Sequence, residues 1–217
     1  MGTTQFLRDS VAGIRLHVLP TDRFKTTAVS VMIGTVLEPG TVTRTAVTPF
    51  VLRRGNRSHP DTVSFREALD EMYGAGFGFD IYKRGDYQIV NFRLDVIRDR
   101  FVSTGEQLLK RGIAFLGETL ARPALEGGAF VSAYVEAEKH TVQKRLEAVI
   151  NDKTRYAAER CIEAMCKDEP YRLQPLGEIG DLPSITPENL YAGYRNWLST
   201  SPIDVYVVGD VATDEVK

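Results

Sequence analysis

RTAVTPFVLRRG, residues 44–55, is the stretch from which the fold of this chain can be worked out. Val47 and Phe50 recur at the spacing that lines one face of a helix, so the stretch predicts an amphipathic helix of about three turns. Gly55 is expected to end this helix. Pro49 interrupts the pattern, and we expect it to kink or end the first turn unless the helix begins near it.

The segments on either side of this helix also have a regular pattern. Ile14–Leu19 alternates and ends at Pro20, and Thr26–Ile33 is rich in β-branched residues, which predicts two strands that lie antiparallel to each other. After the helix, Thr62–Tyr73 predicts a second helix, in which Ser64 and Glu67 match a capping box. The chain therefore begins with strands and continues with helices.

An Arg-Gly-Asp triplet at 84–86 joins two further predicted strands, Phe77–Lys83 and Tyr87–Leu94. The same triplet occurs in adhesion sequences. Gly85, however, is the residue that a tight hairpin turn requires, so a hairpin is the favoured interpretation.

The rest of the chain predicts four helices and one last strand. They are Ile97–Phe115, Gly127–Ile150, Lys153–Met165 and Pro187–Leu198, followed by the strand Ile203–Val208. Strands near both ends with helices between them predict an α+β fold, with a mostly antiparallel sheet and helices packed on one face. Because no linker or internal repeat interrupts the pattern, we expect residues 1–217 to form a single domain.

The composition excludes several classes of function. With 27 basic and 29 acidic residues, the chain has no basic field for nucleic acid and no polybasic segment for a membrane surface. Cys161 and Cys166 fit neither a redox nor a zinc motif, and we expect them to be buried and reduced. Since residues 1–10 lack the apolar core of a signal peptide and no run is long enough to span a membrane, we expect a soluble, cytoplasmic protein.

Phrases spread along the chain together resemble the insulinase/pitrilysin superfamily of zinc peptidases, and within it the bacterial, non-catalytic YmfF-type branch. Those that carry the resemblance include HVLPTDRFKTT (His17–Thr27), VLRRG (Val51–Gly55) with His59-Pro60, LDEMYGAGF (Leu69–Phe77), KRGDYQIVNF (Lys83–Phe92), INDKTRYAAERC (Ile150–Cys161) and PIDVYVVGDV (Pro202–Val211). The resemblance covers nearly the whole chain. It implies the N-terminal half of a two-part, clamshell-shaped peptidase, so the second homologous half is absent and we expect a piece of a longer protein.

Active members of this superfamily carry H-x-x-E-H on the helix that ends at the position of Gly55. Two His side chains four residues apart bind Zn²⁺, and the Glu activates the metal-bound water. Counted back from Gly55, the resemblance places the two His positions at Ala46 and Phe50 and the Glu position at Pro49. All three are lost, and residues 44–55 contain no His or Glu at all. The resemblance further implies a vestigial third ligand at Glu136. Because one carboxylate alone does not make a zinc site, we expect neither catalytic residues nor a zinc cofactor.

Other sources of chemistry are weak. The three histidines, His17, His59 and His140, are never four residues apart. The glycines at 74–78 precede a predicted strand rather than a helix, which argues against phosphate binding. Aromatic and basic residues interleave along the hairpin at 82–93, and hairpin packing is favoured over a nucleic-acid surface.

The favoured hypothesis is a non-catalytic, peptidase-like subunit that pairs with a zinc-bearing homologue or binds a peptide. Self-association into a homodimer is a further option, because an isolated half would expose apolar surface. One alternative is an active metalloendopeptidase with unconventional ligands, such as Glu136, Glu138 and His140. A second is an accessory factor in protein modification on the same scaffold.

Overall fold

The computed structural model describes residues 5–102 and 107–216 and is built around a six-stranded sheet. Its strand order is β1-β2-β8-β3-β5-β4. The strands are β1 (Leu7–Val11), β2 (Ile14–Pro20), β3 (Thr26–Val36), β4 (Gly76–Arg84), β5 (Tyr87–Ile97) and β8 (Ile203–Gly209). A separate two-stranded hairpin is formed by β6 (Leu125–Glu126) and β7 (Ala129–Phe130).

The last strand occupies the middle of the sheet. β8 lies parallel to β2 and antiparallel to β3, while the other neighbouring strands all pair antiparallel. β2 and β3 run in opposite directions, as predicted, but they are separated by β8 and do not pair with each other. The sequence pattern of two adjacent strands could not reveal this, because the strand that separates them comes some 170 residues later in the chain.

Seven helices complete the described part of the fold. They are α1 (Val42–Leu52), α2 (Thr62–Glu71), α3 (Leu108–Ala121), α4 (Ser132–Ala148), α5 (Lys153–Met165), α6 (Pro187–Thr200) and the short α7 (Thr213–Val216). On β3, Val29, Val31 and Ile33 are buried against this layer, whereas the residues between them are only half-buried. Since alternate residues of a strand point to opposite faces, the core lies on one face of the sheet, which confirms the predicted α+β architecture.

α1 begins at Val42, two residues earlier than predicted, and continues through Pro49. Proline cannot donate a hydrogen bond to the preceding turn, but the next turn closes normally because Arg53 N donates to the Pro49 carbonyl. The cap of α2 also differs from the prediction. Asp61 is the N-cap, and its carboxylate accepts from the amides of Val63 and Ser64, so the predicted Ser64–Glu67 capping box was wrong by one turn.

Two predicted helices begin later than the periodicity suggested. Gly127 and Gly128 have positive φ angles of 60° and 85° and form the turn between β6 and β7, so the long helix begins only at Ser132. Ile97 still belongs to β5, and the helix predicted from it begins at Leu108. Residues 103–106 of that predicted helix lie outside the described residues.

The surface helix α5 corrects the expectation for the cysteines. Cys161 lies on α5, which has no buried residue, and is exposed, and Cys166, which caps the end of that helix, is half-buried. Apolar neighbours in sequence were a poor guide to burial here, since this helix lies at the edge of the core. None of the described helices is long and apolar enough to cross a membrane.

Candidate functional site

The three positions at which the resemblance expects the metal motif lie together on α1. Ala46, Pro49 and Phe50 are all buried, and Ala46 and Phe50 are entirely inaccessible to solvent. Residues four apart share one face of a helix, so Ala46 and Phe50 occupy successive turns of the same side. Neither side chain carries an atom that binds a metal, and each contributes instead to the packing of the core.

Phe50 lies at the centre of a group of aromatic and cationic side chains. The ring of Phe79, from β4, meets it edge to face with 4.8 Å between centroids. The Arg53 guanidinium lies 5.5 Å from the Phe50 centroid and 5.7 Å from that of Phe79. A second guanidinium, that of Arg145 on α4, lies 4.9 Å from the Phe50 centroid. Both cations are close enough to the ring for favourable cation–π interaction.

A buried carboxylate holds α1 and α4 together beside this ring. Glu138 is fully buried, and its Oε1 accepts a hydrogen bond of 2.5 Å from Nε of Arg54. Its Oε2 lies 3.6 Å from Nη2 of Arg53, which is an ion pair but too long for a hydrogen bond. The charge of Glu138 therefore fixes the residues that follow the C-terminal end of α1 against α4.

We name the four residues Arg53, Arg54, Glu138 and Arg145 the arginine cluster. The sequence pattern did not reveal this cluster, although two signals were present. First, the Arg53-Arg54 pair directly follows the apolar residues at the end of a predicted helix. Two arginines at such a place need a carboxylate partner if their side chains pack inward. Second, the sequence has several glutamates on α4. Only the face of the helix on which each one lies identifies Glu138 as the partner.

Glu136, the predicted vestigial ligand, points away from α1. Its carboxylate pairs with Nζ of Lys139 at 2.9 Å, and its side chain is 62% exposed. Two residues along a helix correspond to a rotation of about 200°, so Glu136 lies nearly opposite Glu138. Arg145 follows Glu138 by seven residues, or about two turns, and shares its face. The structure thus brings Arg145, rather than Glu136, to the Phe50 ring, where the resemblance expects a metal ligand.

The histidines lie far apart in the fold. His17 Nε2 is 2.9 Å from Oδ1 of Asp204, and its ring stacks on Tyr206 at 4.4 Å. His59 contacts the side chain of Asn56, and His140 is exposed on α4. Among the residues that the structure describes, no three His, Cys, Asp or Glu side chains come together to hold a metal ion.

Asp204 is the centre of a polar group on the open face of the sheet. Arg15 donates to both of its oxygens, and His17 contacts one of them. Burial by itself would raise the pKa of Asp204, but the hydrogen bonds and charges of these two neighbours outweigh it and hold the pKa below its usual value. The group stabilises the pairing of β2 with β8.

The hairpin residues have structural roles. Gly85 has a φ of 56° at the tip of β4–β5, as the turn interpretation of the Arg-Gly-Asp triplet requires. Lys83 lies 4.2 Å from the centroid of the Tyr171 ring and donates to the carbonyls of Tyr171 and Leu173. Burial lowers the pKa of Lys83. These contacts describe hairpin packing, as expected.

Known proteins similar to this chain are peptidase-like. No family model matches the sequence. The sequence is 39% identical over 211 residues to the "Probable inactive metalloprotease YmfF" of Bacillus subtilis (strain 168), a match that covers 97% of this chain and 50% of that protein. A conserved protein from Enterococcus faecalis V583 has a TM-score of 0.92 at 27% identity, over 98% of this chain and 50% of that one.

A third comparison concerns the fold alone. The peptidase M16 inactive domain from Pseudomonas fluorescens has a TM-score of 0.74 at 14% identity, over 97% of this chain and 48% of that one. The similarity to the YmfF protein bears out the resemblance to the YmfF-type branch, and the solved structures share the fold of this chain. The chain spans about half the length of the relatives it matches, and its fold is that of one half of such proteins.

Proposed function

We propose that this insulinase-like chain is the non-catalytic part of a peptidase homologue, and that the whole protein pairs with a zinc-bearing homologue and contributes to the binding of its peptide. The observation that carries the proposal is the replacement of the metal site. On the resemblance, Phe50 and Ala46 stand at the positions of two zinc-binding imidazoles, and Arg145 and Arg53 lie against the Phe50 ring. Similarity to a protein named as probably inactive supports the same conclusion.

The arginine cluster opposes metal binding as well as lacking ligands. Two guanidiniums beside the lost site create a positive potential, which repels Zn²⁺. Glu138 is the carboxylate that α4 brings to α1, and one of its oxygens already accepts a hydrogen bond from Arg54. Hydrolysis by a metal-bound water is therefore not part of the proposed function, and neither is a zinc cofactor.

Unconventional ligands are not favoured by the geometry. Glu136 and His140 are four residues apart and share one face of α4, but Glu138 lies on the opposite face and is buried. These three side chains cannot converge on one ion without unwinding the helix. A metallopeptidase with this ligand set is accordingly a weaker proposal than a non-catalytic subunit.

The location and partner follow from the same proposal. We place the protein in the bacterial cytoplasm, with a catalytic homologue of the superfamily as its partner. The half-buried positions on the open face of β3 would be part of the surface that meets the other half of the chain or the partner subunit.

The test is co-expression of the full-length protein with each zinc-bearing homologue encoded in the same genome, followed by affinity purification. We expect one homologue to co-purify in equal amount, and we expect zinc analysis to assign the metal to that homologue alone. If the protein purifies by itself with stoichiometric zinc and cleaves peptides in a chelator-sensitive manner, the proposal is wrong.

A further inference from the structure

The arginine cluster carries an unbalanced positive charge at an accessible place. It contains three guanidiniums and one carboxylate, so two positive charges remain without a counter-charge. Within residues 5–102 and 107–216, no carboxylate forms an ion pair with Arg145. Glu138 serves Arg54 and, more distantly, Arg53.

The two arginines that contact Phe50 are held in place but open to solvent. Arg145 is exposed, and the side chain of Arg53 is 40% exposed, whereas the ring beneath them is fully buried. Packing against a rigid ring limits the rotamers of both side chains and leaves their N–H groups available. An anion that binds here therefore meets donors that have already lost part of their conformational freedom.

The two guanidiniums act jointly. The Arg53 and Arg145 guanidiniums lie 5.5 Å and 4.9 Å from the same ring centroid, so they are at most about 10 Å apart. This separation is close to the Debye length at physiological ionic strength, which is about 8 Å. Their like charges repel each other, and a bound anion would relieve this repulsion. The planar guanidinium fork matches the two oxygens of a carboxylate.

We infer that the arginine cluster is a binding site for a peptide carboxylate, which occupies the place that a metal ion holds in active members of the superfamily. The carboxylate belongs to the C-terminus of a peptide or to an Asp or Glu side chain within it. The choice of a peptide as the bearer of this carboxylate rests on the proposed function, whereas the choice of an anion rests on the cluster alone.

The experiment is fluorescence anisotropy with N-terminally labelled peptides and the full-length protein. Three peptides of equal length separate the sources of the carboxylate: a neutral sequence with a free C-terminus, the same sequence as its C-terminal amide, and the amide with one internal Glu. We expect the plain amide to bind weakest. Tighter binding of the free acid assigns the C-terminus, and tighter binding of the Glu peptide assigns an acidic side chain.

Variants on α4 test whether Arg145 is responsible. Arg145→Met removes the charge but keeps a flexible apolar chain over Phe50, and it should weaken binding about tenfold or more. Arg145→Lys keeps the charge without the fork and should weaken binding less. The matched control is Lys144→Met, which removes one positive charge at an exposed position on the same turn of α4. It should leave the affinity within about twofold.

Three results would overturn the inference. They are equal binding of all three peptides, an equal loss of affinity in Arg145→Met and Lys144→Met, and tighter binding of inorganic phosphate than of any peptide. The co-expression test above measures pairing with a homologue and not peptide affinity, so the two proposals can fail separately. The absence of a zinc-bearing partner would likewise leave the peptide affinities unchanged.

Discussion

Glu138 shows how much one buried charge contributes to this fold. It has no exposed surface, and its two oxygens face two arginines from the end of α1. We expect Glu138→Gln to lower the free energy of unfolding by about 1–3 kcal/mol, because the charge-assisted bond to Arg54 is lost. The loss is limited because both arginines are partly exposed and can be solvated. Urea unfolding with an unchanged m-value would measure it.

Glu136→Gln is the matched control for this prediction. It makes the same chemical change two residues away, at a side chain that is mostly exposed and pairs with Lys139 on the same helix. Such pairs contribute about 0.5 kcal/mol or less, so the midpoint should hardly move. Equal effects of the two substitutions would contradict the assignment of Glu138 to the buried position.

Asp204 should make stability depend on pH. Its pKa in the folded protein is below its value of 3.8 in the unfolded chain, so its contribution is fully present above about pH 4 and is lost as the pH falls through the lower folded value. Asp204→Asn should therefore cost under about 1 kcal/mol at pH 7. The difference from the wild type should shrink as the pH falls below about 4.

Urea unfolding at a series of pH values checks this sign. Asp80→Asn, which breaks the more exposed pair with Arg93 on the same sheet, is the control and should show a smaller effect at neutral pH. A difference between Asp204→Asn and the wild type that grows on acidification would refute the prediction.

At the residue scale, the sequence indicated which metal-binding residues are missing, but not which side chains lie near their expected positions. The motif positions that the resemblance implies could be located by counting back from Gly55, because a helix fixes the spacing of its ligands. Which α4 side chain faces Phe50 could not be found in that way. The prediction of Glu136 depended on similar phrases, and a shift of a few residues along a helix changes the face that a side chain occupies.

The third helix illustrates how packing decides the effect of a single methyl group. Gly112 of α3 faces the sheet, and a Cβ added there would lie 2.8 Å from Cδ2 of Leu94 and 3.3 Å from Cγ1 of Val96. Gly117, five residues later, has open space at the same position. Neither glycine has the positive φ that only glycine adopts easily.

The two alanine substitutions should therefore have opposite signs. Gly112→Ala should lower the free energy of unfolding by about 1–3 kcal/mol, since both β5 side chains must move. Gly117→Ala should raise it by about 0.5–1 kcal/mol, because alanine loses less backbone entropy in a helix. Thermal and urea unfolding of the two variants would show this, and a stabilised Gly112→Ala would mean that α3 does not pack closely on β5.

Elements with a strong local signal were predicted well, and those fixed by distant partners were not. The β4–β5 hairpin and α6 agree with their sequence patterns, since each depends on its own turn or cap. β1 was missed because all its residues are exposed and show no alternation. The β6–β7 hairpin was read as the start of a helix because two adjacent glycines were not recognised as a left-handed turn.

The whole molecule keeps an intact core at the place where the resemblance expects a metal site. β3 and β5 pair over eleven residues, and the core beneath them is continuous with α1. Phe50 contributes to this core, because its aromatic ring adds apolar contacts with its neighbours. On the resemblance, packing has therefore replaced metal ligands at this position.

This replacement can be tested by reversing it. The triple variant Ala46→His, Pro49→Glu and Phe50→His restores the motif on α1, but we expect it to bind zinc poorly. Arg145 remains beside the new ligands, and Glu136 points away from them. Adding Arg145→Glu supplies a carboxylate on the correct face of α4 and removes one positive charge. The quadruple variant should bind zinc at least about tenfold more tightly than the triple variant.

Competition with a chromogenic chelator would measure both affinities, and circular dichroism would establish that each variant is folded, since loss of Phe50 should cost about 3–5 kcal/mol of stability. The control is the triple variant with Lys144→Glu, which makes the same change of charge one residue earlier. One residue rotates the side chain by about 100° around α4, away from the face that Glu138 and Arg145 share. If the two quadruple variants bind zinc equally, the gain is a matter of net charge alone, and Arg145 does not occupy the position of the third ligand.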